Sequence, residues 1–174
     1  MNNKPKILYE KYKELVFNVA LHYTQNIEDS EEITQDVFIS IFENIKKFRE
    51  ESTLKTWAYR ITINKSLDFL KSKKRLKRIF FFKSLKIDDQ EKKISIPEII
   101  HPGVILENKE SVNAIFNGIN KLPSKLKTVI ILLKIEGRSQ RETAKIMQLS
   151  VKAIESLFHR AKKKLSIILK DNER

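Results

Sequence analysis

The sequence predicts an all-α fold of two small helical domains joined by a linker, on three observations. Only 3 Gly and 4 Pro occur among 174 residues, while Leu, Ile, Lys and Glu abound, which favours helices over turn-rich β folds. Apolar residues recur at helical spacing over most of the chain. That spacing fails from about Lys83 to Gly103, where "KSLKIDDQEKKISIPEIIHPG" holds two of the four prolines and mixed charge. Such a stretch reads as a linker.

Taken in order, Leu8, Tyr12, Leu15, Val16, Val19 and Ala20 make a first apolar stripe. Ile33, Val37, Phe38, Ile41, Phe42 and Ile45 make a second, and Trp57, Ile61, Leu67 and Leu70 a third, with Ala58 beside them. Asp29 or Ser30 is expected to cap the second helix, with Glu31 and Glu32 in its first turn, where the helix dipole favours acids. The polar "FREESTLK" between the second and third stripes reads as a loop, and the basic tract "KSKKRLKR" ends the first domain. A helical pattern resumes from Val104 to Asn120. Leu122-Pro123 opens a further helix with Pro at its first position, lined by Leu126, Val129, Ile130 and Leu133 and closed by a left-handed Gly137. Ser139 and Glu142 form a capping box for the next helix. Ser150 caps the last, whose inner side carries Val151, Ile154, Phe158, Ala161, Leu165 and Ile168.

Composition narrows the function. With no Cys, a disulfide scaffold, a thiol nucleophile and Cys-based zinc are excluded, in keeping with a reducing cytosol. No apolar run approaches the ~18 residues of a membrane span, and "MNNKPKILYEKYK" is not a signal peptide. A soluble cytoplasmic protein without membrane insertion is expected. The net charge of +13 is uneven: residues 1–70 carry −1, 71–83 carry +7, 84–111 carry −2 and 112–174 carry +9. This alternation predicts one surface for a protein and two for phosphate.

Two helices joined by a turn of about three residues, the second with a solvated basic face, describe a helix-turn-helix. The short connection forces a steep crossing, and Ala144 is small where the helices must touch. Lys152, Glu155, Ser156, His159, Arg160 and Lys163 point outward. Those near the helix start are placed to reach base edges, while Arg160, Lys162, Lys163 and Lys164 are placed for phosphate. An amphipathic hairpin with an incidentally basic face is the plainer alternative, and the two caps and the local charge weigh against it. His22, His101 and His159 lack ligand spacing, so no metal is expected. With no Gly-rich phosphate loop, triad or carboxylate pair, neither a cofactor nor enzymatic activity is expected.

The segment "LPSKLKTVIILLKIEGRSQRETAKIMQLSVKAIESLFHRAKKKL" resembles the promoter −35-binding region 4 of sigma-70 family RNA polymerase sigma factors. "DSEEITQDVFISIFENI" resembles their polymerase-binding helix, and "FREESTLKTWAYRITINKSLDFLKSKKR" their −10-binding segment, both in region 2. Motif order and short length resemble the extracytoplasmic-function (ECF) class. The resemblance implies a region 2-like domain over 1–83, a linker over 84–103 and a region 4-like helix-turn-helix over 104–174. It implies core-polymerase clamp and promoter DNA as partners, and it leaves room for an anti-sigma factor that no residue identifies. Glu32, Gln35 and Asp36 match the polymerase-binding motif, with Ile39 and Glu43 farther along the same outer face. For the −10 strand the implied set is Ser52, Thr53, Lys55, Arg60, Asn64, Lys71, Lys74 and Arg75. Asn64 matches a pocket position, where its amide can both donate and accept, whereas Trp57 reads as core. For the −35 element the set is Arg138, Ser150, Lys152, Glu155, Ser156, His159, Arg160 and Lys163. The implied function is promoter-specific initiation with melting of the −10 DNA; the alternative is a helix-turn-helix regulator that does not initiate.

Two departures from the family pattern bear on promoter choice. Gln148 stands where family members commonly have Gly, so the left-handed turn expected there costs about 1 kcal/mol more. "SVKAIESLF" replaces a more basic start of the recognition helix, and Glu155 can accept from a cytosine amino group. A linker of ~20 residues spans only ~25 Å as a relaxed coil but ~70 Å when stretched. The two promoter elements lie on the order of 50–70 Å apart. The free chain is therefore expected to read a promoter poorly until polymerase spreads it.

Overall fold

A left-handed Gln25 (φ 53) ends the first helix and leaves a single residue, Asn26, before the second begins. This turn sets α1 (Lys4–Thr24) back against α2 (Ile27–Asn44). The computed structural model describes residues 4–48, 52–84 and 109–172, and no strand occurs among them. Asn26, and not Asp29 or Ser30, caps α2: its backbone is extended and its side chain accepts from the Asp29 amide at 2.7 Å. The first-turn acids are consequently Glu28 and Asp29, with Glu31 and Glu32 beyond them. The Ser30 hydroxyl is buried against Thr24 Oγ1, 2.7 Å away.

A short 3₁₀ turn (Ile45–Lys47) follows α2, and Thr53 caps α3 (Leu54–Ser84) by accepting from the Thr56 amide at 3.1 Å. The expected loop thus gives way to helix at Leu54. The basic tract is helical throughout, and α3 continues to Ser84, one residue into the expected linker. Residues 85–108, which hold the rest of that linker and the expected helix start at Val104, lie outside the described residues. Tyr12, Val16, Ala20, Ile33, Val37, Phe38, Ile41 and Ala58 form the core of the α1–α2–α3 bundle. Trp57 packs on that core, 5.1 Å from Phe48, as expected of a core residue. Phe42 differs: it is 37% exposed, on the outer side of α2.

The second half consists of α4 (Lys109–Asn120), α5 (Ser124–Ile130), a π-helical segment (Ile131–Ile135), α6 (Gln140–Met147) and α7 (Val151–Asn172). Pro123 takes the cap position of α5, one residue earlier than expected. Gly118 lets α4 lie close on α7: a Cβ there would stand 3.0 Å from Leu165 Cδ1 and 3.1 Å from Leu169 Cδ2. In the π-helical segment the Glu136 amide reaches back to Ile131 O at 2.9 Å. Ile131 and Leu132 continue an unbroken buried run that begins at Leu126 in α5. Gly137 is left-handed (φ 61), as expected. Ser139 and Glu142 make the capping box in both directions, and Gln148 takes the left-handed conformation (φ 55) that ends α6.

The two halves share a core. Val19, Tyr23, Tyr59 and Ile63 from the first pack with Val129, Ile130, Ile131, Leu132, Ala144 and Ile146 from the second. Polar links border it. The Tyr23 hydroxyl donates to Thr128 Oγ1 at 2.7 Å, and Lys127 Nζ donates to Tyr23 O at 2.9 Å. The Tyr59 hydroxyl donates to Glu136 Oε2 at 2.7 Å, and Arg60 Nη2 donates to Lys145 O at 2.7 Å. A cation at the C-terminal end of α1 is where the helix dipole favours one.

Candidate protein and nucleic-acid interfaces

The outer face of α2 presents Glu32, Gln35, Asp36, Ile39 and Glu43, all exposed. Asp36 lies 3.9 Å from Lys65, a loose surface pair of little energetic weight. Ile39 is 55% exposed, and Phe42 adds an apolar neighbour that periodicity had placed inside. Phe42 stands 5.9 Å from Phe38, which in turn contacts Tyr9 at 4.8 Å. Two exposed apolar side chains framed by carboxylates suit a partner with a basic rim around a greasy patch. The residue missed here is Phe42. Its spacing marked it apolar, and spacing cannot say which edge of a stripe faces solvent.

The α7 face is built by its caps. Ser150 accepts from the Ala153 amide at 3.2 Å, which fixes the start of the helix. Ile154 and Ala161 are fully buried, and this turns Lys152, Glu155, Ser156, His159, Arg160 and Lys163 to solvent together. Lys162 lies 4.9 Å from the centre of the Phe158 ring. The structure therefore brings six of the eight expected −35 residues onto one exposed face. Ser150 sits at its edge with its hydroxyl engaged in the cap. Arg138 stands apart, over the Tyr59 ring at 6.0 Å and 3.6 Å from Glu142.

On α3, Lys55, Asn64, Lys71, Lys74 and Arg75 are exposed. Lys71 pairs with Asp68 at 3.0 Å, and Lys73 pairs with Asp29 of α2. Ser52 and Thr53 lie at the α3 cap. Arg60 and Asn64, one turn apart, line a cleft of about 240 Å³ whose opposite wall is Ser124, Ile146, Gln148 and Leu149. A second groove, of about 530 Å³, runs between α1 and α2 past Tyr9, Phe17, Thr34 and Gln35. Among the described residues no cluster of His, Cys, Asp or Glu could hold a metal ion. No described helix is long and apolar enough to cross a membrane.

Residues 8–76 match the family model for sigma-70 region 2, and residues 113–165 that for sigma-70 region 4. The order and placement agree with the two exposed faces just described. The chain belongs to the sigma-70 family, in its ECF class. The ECF RNA polymerase sigma factor SigW of Bacillus subtilis is 29% identical over 92% of this chain and 86% of its own. The ECF RNA polymerase sigma-E factor of Escherichia coli is 26% identical over 90% and 81%. In fold, the chain is similar to the sigma factor RpoE solved with the anti-sigma factor NepR from Bartonella quintana. That match has a TM-score of 0.64 at 20% identity over 97% of this chain and 98% of the other. CnrH, solved with the cytosolic domain of CnrY, gives 0.65 at 21% identity over 98% and 90%.

Within this sigma-family chain, Glu136 is the residue that the sequence did not reveal. It accepts from Tyr59 and lies 3.0 Å from His22 Nε2, so one carboxylate bridges α1, α3 and the second half. Burial pushes its carboxyl up, but hydrogen bonds from His22 and Tyr59 more than offset this and hold it below the usual glutamate range. A carboxylate at a helix C-terminus opposes the dipole. That local misfit just before Gly137 was the one available signal.

Proposed function

We propose that the chain binds core RNA polymerase in the cytoplasm and directs promoter-specific initiation. In this reading the domains are 1–83 and 104–174, with 84–103 as the linker between them. Residues Glu32, Gln35, Asp36, Ile39 and Glu43 dock on the polymerase clamp. Asn64 meets an unpaired base of the −10 strand, aided by Ser52, Thr53 and Lys55, with Arg60, Lys71, Lys74 and Arg75 on phosphate. The α7 face with Ser150 and Arg138 meets the −35 duplex, and the chain itself catalyses no reaction. One observation carries the reading: the two family-matched segments each expose a face of the chemistry their partner requires. The α2 face is acidic and apolar, and the α7 face is basic and polar. Its charges give affinity, while Lys152, Glu155 and Ser156 at the helix start are placed to read bases. An anti-sigma partner fits the same reading, since RpoE was solved with one.

Purified chain should be added to core polymerase on genomic template and the RNA 5′ ends sequenced. Starts clustered behind a shared two-element promoter are expected. A regulator that does not initiate would leave the pattern of core polymerase alone unchanged, which would overturn the proposal.

A further inference from the structure

Glu155 is out of place on the face that carries it. The charged neighbours that share the exposed side of α7 with it are cations, Lys152 before it and Arg160 and Lys163 beyond it. A carboxylate in the early part of a helix is ordinarily explained by the helix dipole or by an ion pair, and neither applies here. The first turn of α7 holds no acid. Glu155 is the fifth residue of the helix that starts at Val151, past the first turn to which the dipole effect is confined. Lys152 and His159 stand three residues before it and four after it, at the spacings where pairs form on a helix surface. Yet among the described residues Glu155 makes no ion pair and no hydrogen bond through its side chain. The side chain is exposed and its carboxylate is unspent.

With α7 in a major groove, that carboxylate comes among base edges and phosphates. Left unpaired there, it would give up its water for nothing, and such a loss costs a charged group more than a neutral one. An ionised carboxylate can only accept hydrogen bonds. In the major groove guanine offers acceptors alone, and thymine an acceptor and a methyl group. Only cytosine N4 and adenine N6 donate. Adenine sets its donor beside the N7 acceptor, which would face the second carboxylate oxygen. Cytosine sets no acceptor beside its own donor. We propose, on the assignment of the α7 face to the −35 duplex, that Glu155 selects for a cytosine at one fixed position of the −35 element. The surrounding cations supply affinity for any phosphate backbone. Glu155 subtracts from that affinity wherever the base opposite has no amino group to give, so it discriminates chiefly by rejection.

The test uses the full chain assembled with core polymerase and a library of promoters at which it initiates, with the −35 element randomised and each version tagged by a transcribed barcode. Counting barcodes in the RNA ranks the −35 sequences. The wild-type chain should favour cytosine over every other base at one position, by roughly tenfold. Glu155→Ala should flatten that position and leave the others as they are. Glu155→Gln should move its preference to adenine, because a side-chain amide pairs with N6 and N7 together. Glu155 is exposed, so neither substitution empties a packed site, and the unaltered positions report that α7 is intact. A Glu155→Ala profile with the wild-type preference at every position, whether output rises or not, would make the carboxylate a mere surface charge and overturn the proposal. So would guanine, thymine or adenine as the wild-type preference at the position that Glu155→Ala flattens. Specific starts persist in both of those failures. Their absence from the wild-type chain would overturn the initiation reading and this proposal together.

Discussion

Single residues carry consequences that stability and kinetics can read. Gln148 holds a left-handed backbone, a conformation that costs a side chain about 1 kcal/mol relative to glycine. Gln148→Gly should therefore raise the unfolding free energy, measured by urea denaturation, by about 0.5 kcal/mol, the relief of strain being partly offset by the greater freedom of the unfolded chain. Ser139 accepts from the Glu142 amide at 3.2 Å while its own amide donates to Glu142 Oε2 at 2.8 Å. Ser139→Ala should cost about 1 kcal/mol. Asn64 is exposed beside the cleft and has no packing role to lose. Asn64→Ala should slow open-complex formation more than it weakens closed binding, because only the melted strand presents a base edge to its amide. Equal losses in the two steps would refute that role.

At the scale of elements, α7 works as a charged rod on a buried stripe. Arg160→Ala and Lys163→Ala should weaken DNA binding with little regard to sequence. If each meets a phosphate, each should lower the slope of log K against log salt by about 0.9. The sequence displayed this element well, since spacing, caps and charge agreed and helix-turn-helix packing is local; the exception is Val151, which spacing placed inward and which is exposed at the first turn. The α2 face was equally legible except for Phe42. Two features were not. The π-helical segment Ile131–Ile135 reads by periodicity as ordinary α-helix, because "ILLKI" is apolar in every phase that matters. The cap of α2 was displaced because Gln25 adopts a left-handed backbone that no composition rule assigns to glutamine.

At the scale of the molecule, the docking of the two halves is what sequence could not supply, because its contacts join residues 77 to 105 positions apart. Tyr23 meets Thr128, and Tyr59 meets Glu136, without any local pattern to announce either. The interface has a pH signature. Burial and the nearby Lys74 push the Lys127 ammonium down to about 8, from an ordinary 10.5. Between these values the released chain binds more protons than the folded one, so stability should rise as pH climbs from about 8 toward 9.5. Lys127→Met should flatten that rise in urea midpoints. Above about pH 10 the buried Tyr23 and Tyr59, whose hydroxyls are pushed up, reverse the trend. In acid, Glu136 contributes stability above the ordinary glutamate range and loses it as pH falls through its depressed value. The account as a whole requires that polymerase separate what the free chain holds together. The absence of native cysteine allows fluorophores to be placed at Lys11→Cys and Lys170→Cys alone, for distance measurement by energy transfer. The account predicts one short separation in the free protein that lengthens by tens of Å on the order of the promoter-element spacing in the polymerase–promoter complex. An unchanged separation in a complex that initiates specifically would contradict it.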